Sequence, residues 1–574
     1  MTERTLLGLA AAGGVAVGRA LVSDEAPAHA AGPGGPAEQE RAVVALAKVA
    51  AELAFSAGRL RDGGLDDEAE ILEASGLIAQ DVGLVQAAVD AAATVSAEAA
   101  VRQAAEAQAE VIAALPDPLL AARAADIREI GRRASGILAG RQLRSADGPV
   151  VLVARELGPS ELAELRLGDA QIVGVALAAG AVTSHAAIMA RAFGVPMVVA
   201  AGEELLKLDD VELVVDGDSG TVVVAPAPVT LRRTLADQGR RARRRRELER
   251  VRGLPAVTRD GVSIRLLCNA STAAEVEGGL AAGAEGVGLL RTELAFLDAS
   301  RWPTEAEHVA ALTPPLSRLG GRVATVRTFD FGADKTPPFL AGEQRRGLEL
   351  ALAHSDALAA QLRAILRAGA GAGTKLRLLL PMVETAQQLR EVRELVVAAA
   401  QEVGWIGPPP AVGAMIETPN AARHALDIAL EADFLSIGTN DLVQYTLGLD
   451  RELPLASART AADPTVLALI GMVGTAGARM GLTVEVCGEA ASEPPLAALL
   501  IGAGVTELSV APSRLDELRA AVRSLDSVDA ARVLRKAVTF DSGAAALELA
   551  AELLSDELGD EPGEVLGGLD GVVA

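Results

Sequence analysis

Residues 412–441, VGAMIETPNAARHALDIALEADFLSIGTND, decide how the C-terminal half of the chain reads. An apolar run from Val412 to Ile416 ends on the polar tip Glu417-Thr418-Pro419. A helical stretch follows, and a second apolar run, Phe434 to Ile437, ends on Gly438-Thr-Asn-Asp441. Short apolar runs bounded by turn residues fit strands covered on both faces, and strands that alternate with helices fit a parallel sheet. The rhythm continues on both sides, in Ser263–Cys268, Gly286–Leu290, Arg322–Val326, Leu376–Leu380, Thr483–Val486 and Glu507–Val510. Eight strands in this pattern predict a (β/α)8 barrel, a fold whose chemistry sits at the C-terminal ends of its strands.

The strand tips are therefore the residues to examine. Arg291, Arg327 and Arg451 with Lys335 form an anion clamp, because guanidinium forks match carboxylate and phosphate oxygens in pairs. Glu417 and Asp441 follow adjacent strands and would repel each other without a cation between them. Mg²⁺ suits two hard carboxylates completed by substrate phosphate. The ligand implied is a small, doubly anionic phosphorylated acid. A lone cysteine is more often a buried hydrophobe than a catalyst, but Cys487 stands at the tip of the strand after the Asp441 strand, where acid–base chemistry on that ligand is possible. Cys268 lies inside an apolar run and reads as structural.

The N-terminal half has a different texture. Strands are expected at Leu6–Ala10 and Val15–Val22, then, after a Pro/Gly/Ala stretch, an Ala- and Glu-rich region with apolar residues at helical spacing (Ile71, Leu72, Leu77, Ile78, Leu84, Val85, Val89). From Gly148 short β-rich runs return, at 150–154, 170–176, 196–200, 212–215 and 221–224. The first strands are expected to join them, with the helical bundle inserted between. Within this unit Gly180-Ala-Val-Thr-Ser-His185 delivers a histidine to a helix start, where Thr183 or Ser184 can cap. A phosphoryl group on that imidazole would meet free backbone N–H groups and the positive end of the helix. The arginine run within 240–246 reads as a solvated linker helix, since no aromatic interleaves with it and Glu247 and Glu249 follow.

Composition sets outer limits. With 53 Lys+Arg against 77 Asp+Glu the formal charge is −24, which argues against wholesale nucleic-acid binding, and 2% aromatic content removes a base-stacking platform. Two cysteines cannot make a disulfide scaffold, so a reducing, cytoplasmic setting is expected. No apolar stretch approaches the roughly 20 residues that span a bilayer, so no direct membrane insertion is expected.

The motifs Thr183-Ser-His-Ala-Ala-Ile-Met-Ala-Arg191, Gly286-Val-Gly-Leu-Leu-Arg-Thr-Glu293, Arg327-Thr-Phe-Asp330, Ile416-Glu-Thr-Pro419, Ser436 to Thr446, Asp450-Arg451 and Cys487-Gly-Glu489 resemble those of Enzyme I of the phosphoenolpyruvate-dependent sugar phosphotransferase system. The helical region is similar to that family's HPr-binding subdomain through Glu70-Ile-Leu-Glu-Ala74 and Ala125 to Arg133. The resemblance implies a multidomain α/β protein: a phosphohistidine swivelling α/β domain (1–36 with 143–228), an inserted helical HPr-binding bundle (37–142), a linker helix (229–259), a phosphoenolpyruvate-binding TIM barrel (260–545) and an acidic tail (546–574). It implies that Glu417 and Asp441 hold Mg²⁺, that Arg291, Arg327, Arg346, Asn440, Arg451 and Lys335 bind phosphoenolpyruvate, that His185 takes the phosphoryl group, and that Cys487 protonates the enolate. HPr would then be the acceptor, and a dimer would form through the barrel.

Some positions depart from the family pattern. Gly180-Ala-Val182 replaces Gly-Gly-Arg, Ser75 and Asp463 replace histidines, and Glu349 replaces an arginine. The segment between Lys335 and Arg346 is short, which leaves open whether Arg346 reaches substrate. Two other readings are an Enzyme I-like regulatory phosphoprotein with a different carrier partner and a pyruvate/phosphoenolpyruvate dikinase-type enzyme. The second lacks a glycine-rich phosphate loop and room for a nucleotide-grasping domain.

Overall fold

A computed structural model describes residues 2–23, 32–62, 66–114, 123–140, 148–159, 161–163, 171–182, 184–332, 335–449 and 458–558. The chain divides into two compact units, residues 1–243 and 244–574.

The first unit is built on β1 (Arg4–Leu7), β2 (Leu9–Ala12), β3 (Val15–Val22), β4 (Val150–Ala154), β5 (Ile172–Leu177), β6 (Met197–Val199), β7 (Glu212–Asp216) and β8 (Thr221–Val224), in the order β1-β8-β7-β3-β4-β5-β6-β2. β3 and β4 pair in parallel, Arg19 opposite Val150. The helices Pro36–Asp62, Asp66–Ala79, Val82–Ala92, Ala97–Ala113 and Ala124–Leu138 thus leave and rejoin the sheet between neighbouring strands. Side-chain alternation explains how one sheet serves two cores. Leu152, Val175 and Met197 face the helical layer with Leu53, Leu72 and Ile130, while Val151, Val153 and Val198 pack on the other side with Leu213 and Val222.

The single strand expected at Leu6–Ala10 is two strands broken at Gly8. β1 pairs with β8 and β2 with β6, at opposite ends of the strand order. One residue therefore joins the two edge strands of the sheet. A side chain does not fit there, since a Cβ on Gly8 would lie 2.5 Å from the Val199 carbonyl oxygen.

The helix Pro228–Val251 contains the arginine run; Arg240 pairs with Asp237 and Arg241 with Asp218. In the second unit β9 (Arg265–Ala270), β10 (Gly286–Leu290), β11 (Val323–Arg327), β12 (Lys375–Leu380), β13 (Ala411–Ile416), β14 (Phe434–Ile437), β15 (Thr483–Val486) and β16 (Glu507–Val510) form a closed barrel, with every neighbouring pair parallel and β16 closing on β9. The unit continues past residue 545. Where acidic composition predicts a tail, the helix Gly543–Leu558 buries Ala546, Ala550 and Leu554 in the barrel's outer core; residues 559–574 lie outside the described ones. Among the described residues no helix is long and apolar enough to cross a membrane.

Candidate active site

At the C-terminal mouth of the barrel β11 ends on Arg327, whose guanidinium is almost fully buried. Its Nη2 donates to Glu293 Oε1 at 2.5 Å, and its Nη1 lies 3.0 Å from Asp330 Oδ2. Lys335 Nζ stands 3.1 Å from the same Glu293 oxygen and 3.9 Å from Asp330. Arg346 reaches across to Asp441 Oδ1 and to the Tyr445 hydroxyl, both at 3.1 Å, and lies 3.5 Å from Asp330 Oδ1. Burial opposes ionisation of Glu293 and Asp330, but the surrounding cations prevail and hold both carboxyls below the usual range.

Glu417 is the exception. It follows β13, is 2% exposed, and accepts a 2.6 Å hydrogen bond from the Met382 N–H. Burial, with Asp330 and Asp441 nearby, pushes its pKa up to about 8. The Met382 backbone that supplies this bond has φ +52°, a conformation rarely taken by a non-glycine residue and one that tends to persist where function requires it. Glu384, in the same tip, is engaged elsewhere: it accepts from Thr418 Oγ1 at 2.6 Å and from Asn420 Nδ2 at 2.8 Å.

Charge arithmetic over the described residues of the mouth is simple. Arg291, Arg327, Lys335 and Arg346 give four positive charges, and Glu293, Asp330, Glu417 and Asp441 give four negative ones when all are ionised. Arg291 is the only one of those cations without an ion-pair partner among the described residues. A dianionic ligand placed here needs further positive charge. Glu417 and Asp441 offer hard oxygens of the kind that divalent cations prefer, and burial and the neighbouring carboxylates outweigh Arg327 in raising the pKa of Glu417, so the donor set fits Mg²⁺. Among the described residues no cluster of three acidic, histidine or cysteine side chains offers a complete cage, so substrate oxygens or water would have to complete the shell.

Cys487 follows β15 and is 4% exposed, in an interior layer with Leu289, Leu379, Met415 and Phe434. The Ser436 hydroxyl lies 3.4 Å from its sulfur. Burial, with Glu485 adding to it, pushes the thiol up to about 12, so it stays protonated at neutral pH. Asn440 Oδ1 accepts from the Glu489 N–H at 3.1 Å, and Asn269 Nδ2 donates to the Cys487 carbonyl at 3.1 Å, which fixes the loop that carries the thiol. Cys268 is buried in the core, as expected of a structural residue.

His185 opens the helix His185–Phe193 in the first unit. Ser184 caps it, its hydroxyl accepting from the Ala187 N–H at 3.3 Å. The imidazole is mostly buried. Its Nδ1 lies 3.0 Å from Asp126 Oδ2, on the inserted helix Ala124–Leu138, and Arg123 sits 3.5 Å from the same oxygen. Nε2 has no hydrogen-bond partner among the described residues, so it is the nitrogen open to an incoming group.

The structure thus gathers Arg327, Lys335, Arg346 and Asp441 in one ion-pair network at the barrel mouth, joined through Glu293 and Asp330, with Glu417 near enough to feel Asp330, Asp441 and Arg327. Arg291, Asn440 and Cys487 stand on neighbouring strand ends, and Arg451 and Thr183 lie outside the described residues. Sequence reading left Glu293, Asp330 and Asp126 without a role. The first two were visible inside tip strings, but nothing local says that they hold arginines. Asp126 is 59 residues from His185, so only the fold brings it to the ring.

Three family profiles match: the PEP-binding domain of PEP-utilising enzymes over residues 245–527, the mobile domain over 146–220 and the N-terminal domain over 7–123. A phosphoenolpyruvate-protein phosphotransferase from Streptomyces coelicolor is 35% identical over 97% of this chain and 100% of its own length, and one from Bacillus sp. is 33% identical over 92% and 95%. A multiphosphoryl transfer protein from Xanthomonas campestris is 39% identical over 73% of the chain; this chain spans about half of that protein's length, 51%. The solved N-terminal domain of Enzyme 1 - Nitrogen is 31% identical, covering 41% of this chain and 99% of its own at a TM-score of 0.31.

Proposed function

This chain belongs to the phosphoenolpyruvate-protein phosphotransferase family, and on that premise we propose that it moves the phosphoryl group of phosphoenolpyruvate to His185 and on to a small carrier protein of the HPr type. The observation that carries the reading is the barrel mouth itself: Glu417 and Asp441 stand beside Arg327, Arg346 and Lys335, with Arg291 unpaired among the described residues, so a phosphorylated dianion plus a divalent cation would complete the charge balance.

In this reading Arg291, Arg327, Arg346, Lys335, Asn440 and Arg451 hold the phosphate and carboxylate. Glu417 and Asp441 would hold Mg²⁺, which supplies positive charge to the phosphate oxygens as the P–O bond weakens. The lone pair of His185 Nε2 forms the N–P bond while the bond from phosphorus to the enol oxygen breaks, and enolpyruvate departs. Asp126 keeps the proton on Nδ1 and so leaves Nε2 as the nucleophile. The Cys487 thiol, protonated at neutral pH, gives its proton to the methylene carbon of the enolate, yielding pyruvate and a thiolate that solvent protons restore. Most of the acceleration comes from positioning and charge neutralisation.

For both transfers the histidine has to serve first the barrel mouth and then the carrier. Exposed Phe55, Leu77 and Val82 on the inserted helices support that layer as the carrier's docking face. A net charge of −24 suits a basic partner. Cytoplasmic location, a homodimer through the barrel unit, and the domain boundaries given above, with the barrel unit extended through the helix Gly543–Leu558, belong to the same reading. Incubation with phosphoenolpyruvate, Mg²⁺ and HPr tests it: phosphorylated HPr and pyruvate in equal amounts without ATP are expected, and an ATP requirement or no transfer to HPr would overturn it.

A further inference from the structure

The helix Ser355–Ala372 turns Leu358, Leu362, Ile365 and Leu366 into the barrel's outer core, and Gln361 stands on the same buried face with no accessible surface. A primary amide there is costly unless both ends are bonded. Both are. Its Oε1 accepts from the Phe329 N–H at 3.0 Å, and its Nε2 donates to Thr292 Oγ1 at 3.0 Å; Thr292 in turn donates to the Arg327 carbonyl at 2.9 Å. A leucine at 361 would fill the core without these demands. What the amide provides is a clip between two adjacent strand tips. Thr292 lies between Arg291 and Glu293, and Phe329 lies between Arg327 and Asp330, so each anchored residue neighbours the groups that meet at the mouth.

We infer that Gln361 and Thr292 are positioning residues that set Arg327, Arg291 and Asp330 for an anionic substrate; the inference rests on the reaction assigned above. The backbone from the Arg327 carbonyl to the Phe329 N–H is then fixed by residues outside this strand tip, so the Arg327 guanidinium meets Glu293 and Asp330 without a search through loop conformations.

The test uses the full chain with Gln361→Met, Thr292→Val and Thr292→Ser. Gln361→Met and Thr292→Val should raise the KM for phosphoenolpyruvate by about tenfold or more with a smaller change in kcat, while Thr292→Ser stays near wild type. Transfer from phosphorylated HPr back to His185 bypasses the barrel mouth and should be unchanged in all three. Amide hydrogen exchange at Phe329 should accelerate in Gln361→Met whether or not substrate is present. Unaltered KM and unaltered Phe329 exchange would overturn the clip, as would a parallel loss of thermal stability and back-transfer, which would make it a support of the fold alone. A wild-type chain that accepts nothing from phosphoenolpyruvate refutes the assigned reaction, and the exchange measurement then still decides on the clip.

Discussion

Replacing Glu417 with Gln removes one buried charge and keeps the shape and the acceptor for the Met382 N–H. The effect on stability follows from where the proton sits. In the folded chain this carboxyl titrates near 8 because of burial and of Asp330 and Asp441, whereas unfolded it returns to about 4.5. Between those values the native state holds more protons than the unfolded one, so stability falls as pH rises from 4.5 to 8 and levels off above. A carboxyl pushed up from 4.5 to about 8, at about 1.36 kcal/mol per pH unit, implies a loss on the order of 5 kcal/mol. Denaturant unfolding of the full chain from pH 5 to 9 in EDTA, wild type against Glu417→Gln, reports this carboxyl together with its effect on Asp330 and Asp441, because titrations elsewhere cancel in the difference. The wild type should lose several kcal/mol relative to the variant up to pH 8, and millimolar Mg²⁺ at pH 8 should restore it by binding the folded state. Mg²⁺ affinity should itself weaken as pH drops below 8, since the ion displaces a proton. A difference flat in pH, with Mg²⁺ stabilising both proteins equally, would refute the placement of a buried Glu417 beside Asp330 and Asp441.

Other outcomes follow from the same geometry. Cys487→Ala should slow pyruvate formation by roughly a hundredfold or more while phosphoenolpyruvate affinity, measured by calorimetry, changes little; a matching loss of affinity would make the thiol a packing residue. Asp126→Asn removes a charged acceptor 3.0 Å from His185 Nδ1 and should slow phosphorylation of His185 by about ten- to a hundredfold, because such bonds contribute roughly 1.5–3 kcal/mol. Rapid-quench labelling at equal rates in both proteins would contradict that role. Ala550→Asp places a charge against the barrel's outer core and should lower the melting temperature of that unit by several degrees, whereas an unchanged value would mean that the helix Gly543–Leu558 does not pack there.

The barrel was legible because its strands announce themselves. Gly286–Leu290 and Phe434–Ile437 are short, mainly apolar runs ended by polar tips, and the structure keeps them to the residue. The same logic fails at Leu6–Ala10, where Gly8 passes for a strand glycine until the sheet order shows that two edges must meet there. Candidate ligands of substrate and metal were readable because strand ends in this fold converge on one mouth. Their partners were not. A carboxylate in a tip string reads alike whether it faces a ligand or an arginine, and Glu293 and Asp330 are told apart only by their contacts with Arg327 and Lys335 in the fold. Gln361 reads as one polar residue on an amphipathic helix; only three-dimensional register turns it toward Thr292 and Phe329.

The central claim is that phosphoenolpyruvate phosphorylates one nitrogen of one histidine. Labelled phosphoenolpyruvate with Mg²⁺, followed by peptide mapping and ³¹P NMR under alkaline conditions, tests it directly. The account predicts one acid-labile phosphoryl group per chain on Nε2 of His185, and none in His185→Ala. Label that persists in His185→Ala, or that sits on Nδ1, would contradict it.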